Sequence, residues 1–254
     1  AIEEPLEFSI CFGSNASRST KNIAITMRTT GNDFELATGF LFSEGVIRHK
    51  DDILSISRNK EYDDDSNLEN TVLIELNESV TIDPEKIRNF YINSSCGICG
   101  SSMIEGISKI HSKGDHSSHL EIDESILRRL PENLKKKQDA FGITGGIHAA
   151  ALFGVDGEIH NLFEDVGRHN ALDKLIGYQI NENALPLSSF GLMLSGRTSF
   201  ELVHKSALAG IPLIVAIGAP SSLAIEAAWE YEITLVGFLS SDRFNIYSYP
   251  KRIT

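Results

Sequence analysis

The stretch Phe190-Gly191-Leu192-Met193-Leu194-Ser195-Gly196-Arg197-Thr198-Ser199-Phe200-Glu201-Leu202-Val203-His204-Lys205-Ser206-Ala207-Leu208-Ala209-Gly210-Ile211-Pro212-Leu213-Ile214-Val215-Ala216-Ile217 decides the fold class. Phe190–Leu194 is a short apolar run of strand length. Ser195-Gly196-Arg197 makes a loop. Thr198–Ala209 reads as a helix that opens on Thr198-x-x-Glu201, a capping-box pattern whose side chains satisfy two orphan amides. Gly210 and Pro212 stop it, and Leu213–Ile217 is a second apolar run. Strand, helix and strand with short loops imply parallel strands and a right-handed crossover.

The alternation continues outward. Downstream come a helix at Ser221–Tyr231 and a strand at Ile233–Leu239. Upstream, a helix at His169–Ile180 follows Ile147–Phe153 and Glu158–Phe163, which flank Gly154-Val155-Asp156-Gly157. Asp-Gly between apolar runs is a strong hairpin signal, so an antiparallel edge joins the parallel strands. Asp123–Phe141 has helical character, interrupted at Pro131. The N-terminal part is different. Leu6–Phe12 and Ile23–Met27 alternate as two strands around a longer Gly-Ser-Asn loop. Asp33–Val46 switches to helical spacing, with Phe34, Ala37, Leu41 and Gly45 on one stripe. Ile53–Arg58 and Thr71–Leu76 read as two more strands, and the acidic Glu61–Ser66 between them as a solvated loop. The expectation is an α/β chain with a boundary near residue 115. A small α+β domain of roll or grasp type spans residues 1–115, and an α/β domain with a mixed sheet spans residues 116–254.

The 254 residues carry a net charge of −12, with 41% hydrophobic and 23% charged residues. That mix is globular. It argues against a nucleic-acid binder, which needs a basic stripe, and against a membrane-surface protein, which needs excess Lys and Arg. No apolar run approaches the ~18 residues of a membrane span, and Ala1–Ser9 lacks a signal-peptide pattern. Three cysteines, Cys11, Cys96 and Cys99, make no disulfide framework and suit a reducing, cytoplasmic setting. Cys11 falls in a strand and is expected to be a small buried hydrophobe.

Cys96-Gly97-Ile98-Cys99-Gly100 lies in a run of small and polar residues, Asn93–Ser102, followed by a short helix at Met103–His111. C-x-x-C supports a redox pair, half of a zinc site, or a persulfide relay. Zinc needs two more ligands, and only His111, His116 or His119, or a second subunit, would supply them. Four further stretches sit at strand ends, where open α/β sheets bind ligands. Glu164-Asp165-Val166-Gly167-Arg168-His169-Asn170 packs a carboxylate, a guanidinium and an imidazole around one glycine. Ser195-Gly196-Arg197 offers close backbone approach and a cation. Phe238-Leu239-Ser240-Ser241-Asp242-Arg243 follows the last strand. In a parallel sheet these ends share one edge, so Arg168, Arg197 and Arg243 are expected to converge on one polyanion. Thr144-Gly145-Gly146-Ile147-His148 is the fourth; a histidine in an apolar strand is usually a satisfied core residue, and its position keeps His148 a candidate.

These motifs together resemble the FdhD family of formate dehydrogenase accessory sulfurtransferases. The resemblance rests on Cys96-Gly97-Ile98-Cys99-Gly100, on Phe163–Lys174 with its E-D-V-G-R-H-N-A-L-D-K run, on Ser195-Gly196-Arg197 and on Leu235-Val236-Gly237-Phe238. Gly39-Phe40-Leu41-Phe42-Ser43-Glu44-Gly45 is similar to the family's N-terminal helix. The resemblance implies a C-terminal domain similar to cytidine deaminase, a three-layer α/β/α sandwich. It implies that Cys96 takes a persulfide sulfur from a cysteine desulfurase, with Cys99 as partner. The sulfur then passes to the molybdenum of bis-molybdopterin guanine dinucleotide, for use by formate dehydrogenase. Phe238–Arg243 would hold that cofactor, with Asp165, Arg168, His169, Ser195 and Arg197; GDP is its simplest fragment. Family members are similar in forming dimers, so a homodimer is expected. The family usually has a glycine before the last arginine, whereas this chain has Asp242, which alters the fit to a phosphate. Zinc deamination is not expected: the H-x-E and P-C-x-x-C positions of such enzymes hold Arg168-His169-Asn170 and Ser195–Ser199. Two other readings stand beside sulfur transfer, a cofactor-binding chaperone without sulfur chemistry and a zinc-knuckle interaction protein.

Overall fold

Alternating apolar residues build the first sheet. In a computed structural model, which describes residues 1–58, 70–82 and 120–254, β1 (Glu4–Ser14) and β2 (Ser17–Arg28) pair antiparallel. The turn between them holds only Asn15 and Ala16, not the longer loop expected. Gly13 makes this possible: at φ +107° it brings Ser17 O within 2.5 Å of where a Cβ would stand. Helix α1 (Asp33–Ser43) follows, ending three residues short of the expected Val46, then β3 (Ile53–Arg58) and β4 (Thr71–Leu76) at their expected bounds. The order is β2-β1-β4-β3, with β1 and β4 parallel and the outer pairs antiparallel. Leu6, Phe8, Ile10, Leu36, Leu41, Val72 and Ile74 form its core. Phe34, expected on the inner stripe, is exposed beneath the Arg58 guanidinium, and Leu36 takes the inward place.

The second sheet is the larger. Its elements are α2 (Glu124–Lys137), α3 (Asp139–Thr144), β5 (His148–Phe153), β6 (Ile159–Asp165), α4 (Arg168–Asn181), β7 (Gly191–Leu194), α5 (Phe200–Leu208), β8 (Leu213–Ala216), α6 (Ser222–Glu230), β9 (Thr234–Gly237) and β10 (Asn245–Ser248). The order is β10-β9-β8-β7-β5-β6. β7, β8 and β9 run parallel, and the β5–β6 hairpin pairs antiparallel with β7. Residues of α4, α5 and α6 share a core with one face, through Ala150, Leu192, Leu194, Ile214 and Leu235. Leu127, Leu130 and Leu134 of α2 pack on the other, against Ala149, Ala151, Met193, Val215 and Val236. This is the three-layer α/β/α arrangement with a mixed sheet.

Three local expectations fail for physical reasons. Helix α2 runs through Pro131 without interruption. Proline removes one backbone donor, at a cost of about 3 kcal/mol, but the buried stripe of Leu127, Leu130 and Leu134 holds both halves on the sheet. The capping box at Thr198 does not form. α5 begins after Ser199 with no side-chain cap. Thr198 is tied instead to the next loop, donating its N–H to Ala219 O at 3.2 Å and accepting from Ser221 N at 3.0 Å. Glu201 turns to Lys205. Strand β10 was not anticipated; it is a short edge strand on β9.

The two sheets meet through α1 and α4. A Cβ on Gly39 would stand 1.9 Å from Asp173 O, and one on Gly177 would stand 1.9 Å from Glu35 O. The helices therefore touch backbone to backbone, which only glycine allows. Expectations on Glu61–Ser66, on Asn93–Ser102 with Cys96 and Cys99, on Met103–His111 and on the boundary near residue 115 fall outside the described residues. Among the described residues no helix is long and apolar enough to cross a membrane.

Candidate functional site

Strand directions bring five chain segments to one edge of the second sheet. β7, β8 and β9 end there at Leu194, Ala216 and Gly237. β5 is antiparallel to β7, so it begins there at His148, and β6 ends there at Asp165. The loops beyond are bonded side by side. Gly218 N donates to Gly196 O at 3.1 Å, and Phe238 N donates to Gly218 O at 3.2 Å. A Cβ on Gly218 would stand 2.7 Å from both Arg197 N and Gly196 O. Ser195 extends this pairing: its Oγ accepts from Ala149 N at 2.8 Å.

Most of the Glu164–Lys174 run is consumed internally. Glu164 accepts from the amides of Ala140 and Phe141 at 2.9 Å each, fixing the start of α3. Asp165 is fully buried. Its Oδ2 lies 2.8 Å from Lys174 Nζ and accepts from Thr29 N at 3.1 Å. Its Oδ1 accepts from Gly167 N at 2.8 Å and Asn170 Nδ2 at 3.2 Å. Asn170 Nδ2 also donates to Met27 O at 2.8 Å. Asp165 was expected to meet a ligand; here both oxygens are taken, and it clamps the loop to the end of β2.

Arg168 is the exception in the run. Its Nε is buried and has no hydrogen-bond partner among the described residues. Burial and the neighbouring Arg197 both disfavour its charge, while Glu201 supports it. Arg197 is exposed, and no hydrogen bond or ion pair holds its guanidinium among the described residues. His148, of a type usually satisfied in the core but kept as a candidate by its position, lies half-buried beside these two cations, with no hydrogen bond to its ring among the described residues. Gly196 makes the room: a Cβ there would stand 3.0 Å from His148 Nδ1 and 3.8 Å from Arg168 Cδ. The chemistry of the group is that of an anion receptor.

Arg243 takes no part in that group. The charges acting on Arg168 are Arg197 and Glu201. Phe238–Arg243 forms a closed turn, with Ser240 N donating to Arg243 O at 2.9 Å and Arg243 N to Ser240 Oγ at 3.1 Å. Phe238 adopts φ +54° and is half exposed, whereas Leu239 is buried. The Asp242 side chain accepts from Ser241 Oγ at 3.2 Å, and its carbonyl accepts from Arg128 Nη1. The expected convergence of three arginines thus becomes a pair plus one at the far side of the edge.

Beneath the edge lies a second charged group, complete in itself. Lys205 Nζ sits 2.5 Å from Asp173 Oδ2 and 3.3 Å from Glu201 Oε1. Ser43 Oγ donates to Asp173 Oδ1 at 2.8 Å. Burial opposes charge on Lys205, but Asp173 and Glu201 outweigh it and hold the ammonium above its ordinary value. His169 Nε2 lies 3.0 Å from Ser199 Oγ and 3.5 Å from Glu201 Oε2. Burial pushes its pKa down to about 4, against the pull of Glu201, so the ring is neutral at pH 7 and the contact is no ion pair. Glu44 faces the same cluster across a cavity of about 80 Å³ walled by Phe8, Phe40, His169, Glu201 and Lys205. Burial raises its pKa to about 7. In sequence Glu201 reads as part of a cap and Lys205 has no assigned role; the i, i+4 spacing of Glu201 and Lys205 was the available signal. Cys11 also differs from expectation: Arg18 Nε donates to its Sγ at 3.3 Å. Among the described residues no cluster of His, Cys, Asp and Glu is placed to hold a metal.

The model of the FdhD/NarQ family matches residues 2–254. The "Sulfur carrier protein FdhD" of Sulfurisphaera tokodaii is 42% identical over 253 residues, covering 100% of this chain and 91% of that protein. The protein of that name from Mycobacterium tuberculosis is 40% identical over 259 residues, with the same coverage. A solved structure described as a formate dehydrogenase accessory protein from Desulfotalea psychrophila superposes with a TM-score of 0.73 at 23% identity, covering 100% of this chain and 90% of that one.

Proposed function

The chain belongs to the FdhD/NarQ family, and on that premise we propose that it is a sulfur carrier serving formate dehydrogenase. Cys96 accepts a sulfane sulfur from the persulfide of a cysteine desulfurase. The Cys96 thiolate forms the new S–S bond while the donor's S–S bond breaks and its cysteine leaves as thiolate, so the exchange needs no outside oxidant. Cys99 is the partner thiol for release. The acceptor is the molybdenum of bis-molybdopterin guanine dinucleotide, held as substrate. The observation that carries this reading is the full-length relationship to proteins named as sulfur carriers, with Cys96-Gly97-Ile98-Cys99 present in this chain.

The second half of the reading concerns the cofactor's phosphates. The residues present fit such a load. Arg168 has a buried Nε without a partner. Arg197 has no partner among the described residues and is exposed at the rim, and Gly196 leaves a backbone approach that a side chain would fill. Two guanidinium groups supply planar donors matched to phosphate oxygens. Ser195, His169 and the Phe238–Arg243 turn border the same edge. The acidic body does not oppose this, because local charge governs a site while net charge governs long-range behaviour.

Activation of formate dehydrogenase tests the proposal. A Cys96→Ala, Cys99→Ala chain should fail to activate it; full activation would instead support a chaperone that delivers cofactor without sulfur chemistry. A crystal soaked with GDP tests the cofactor half. Density at the Arg168–His169 loop and beside Arg243 is expected, and density elsewhere would remove these residues from the site.

A further inference from the structure

His148 stands where strand register puts it. It lies opposite Asp165 on β6 and two residues beyond the Ala150–Leu194 pair, beside Gly196. Arg168 of α4 shares this place, since a Cβ on Gly196 would stand 3.0 Å from His148 Nδ1 and 3.8 Å from Arg168 Cδ, and Arg197 follows Gly196 in the chain; the charges of both act on the ring. His169, next along α4, is itself affected by it. Asp165 is the one carboxylate facing the ring among these groups, and it is already bound to Lys174. The imidazole therefore stands beside two cations, with no hydrogen-bond partner of its own among the described residues. Burial first, then Arg168 and Arg197, hold it below the ordinary histidine value, so it is neutral at pH 7. A neutral ring beside two unpaired guanidiniums is one proton short of a three-cation receptor.

We propose that His148 is the proton-taking arm of an oxyanion site completed by Arg168 and Arg197, so that binding a phosphate-type anion there draws one proton onto His148. The anion's charge offsets the repulsion from the two arginines and favours the protonated ring against burial, and the new N–H donates to an anion oxygen. Linkage makes the effect reciprocal: if the anion favours the proton, the proton favours the anion. Affinity then rises as pH falls, by about tenfold per unit where uptake is complete. The inference rests on reading this edge as the cofactor's phosphate site, and adds a residue and a pH dependence to it.

Sulfate is the probe, because it keeps its charge across the working range and carries neither guanine nor sulfane sulfur. Calorimetric titration of the full chain near pH 7, in buffers of different ionisation heat, counts the protons taken up. Saturable sulfate binding with uptake approaching one proton is expected, and His148→Gln should bind sulfate with little uptake and a flat pH dependence. Nuclear magnetic resonance on the unsubstituted chain gives a second reading, in which sulfate should move the His148 titration midpoint upward. Binding without uptake, uptake that survives His148→Gln, an unmoved His148 midpoint, or no saturable binding would each overturn the inference. None of these outcomes touches the sulfur chemistry of Cys96, whose failure in turn would leave the sulfate result standing.

Discussion

Helices α4 and α5 carry two charged groups within a few residues of each other, and they are built oppositely. Asp173 and Lys205 are buried and Glu201 is partly so; both carboxylates pair with Lys205, and Ser43 donates to the second oxygen of Asp173. Arg168 and Arg197, with His148, hold like charges together and leave a buried Nε unmet. The first group has its counter-charges inside the chain. The second is underserved among the described residues: Glu201 and Asp165 act on it, but both are already committed to Lys205 and Lys174, and a cluster left in that state is a candidate for a ligand of opposite charge. Proximity and residue type are the same in both; completeness separates structure from site.

Substitutions should break that comparison unequally. Lys205→Ala strands Asp173 and Glu201 as buried carboxylates. Chemical denaturation should show a loss of about 3–5 kcal/mol. Gly177→Ala pushes a methyl into the Glu35 carbonyl region where the two helices touch, and overpacking of this kind costs about 1–3 kcal/mol. Arg197→Ala is the contrast. Stability should stay within about 0.5 kcal/mol, as at other exposed sites, while GDP binds about tenfold or more weakly, the worth of one charged hydrogen bond. Destabilisation by Arg197→Ala without loss of GDP affinity would erase the distinction.

Glu44 gives the smallest and most specific effect. Its folded pKa of about 7 lies above the ordinary carboxylate value of 4.5. Between those values the unfolded chain holds fewer protons at this residue than the folded one. Stability from Glu44 is therefore fully present below about 4.5 and is lost as pH rises through about 7. Urea unfolding at pH 5 and pH 8 should show this decline in the natural chain and a smaller one in Glu44→Gln. Equal declines would place Glu44 outside the cluster.

The sequence made the strands plain where apolar residues alternated or clustered, as at Ile53–Arg58 and Thr71–Leu76, or ran unbroken, as in β7, β8 and β9. It also pointed to the sheet edge and to Arg168 and Arg197. What it hid were choices made by tertiary contact. Pro131 looks like a stop until the leucines around it find the sheet. Thr198 and Glu201 have the spacing of a cap, but neighbouring loops and Lys205 compete for them. The burial of Asp173 was hidden because nothing local shows that Gly39 and Gly177 let α1 close over it. Asp165 belongs to the recognisable run, yet its partner Thr29 is 136 residues away in the chain. His148 gave a weak signal, since strand register alone sets it beside two arginines.

The most direct test of the account is the mass of the intact chain after incubation with a cysteine desulfurase and cysteine. The natural sequence should gain one sulfur atom, released by a thiol reductant, and Cys96→Ala should gain none. Undiminished labelling of Cys96→Ala would contradict the account.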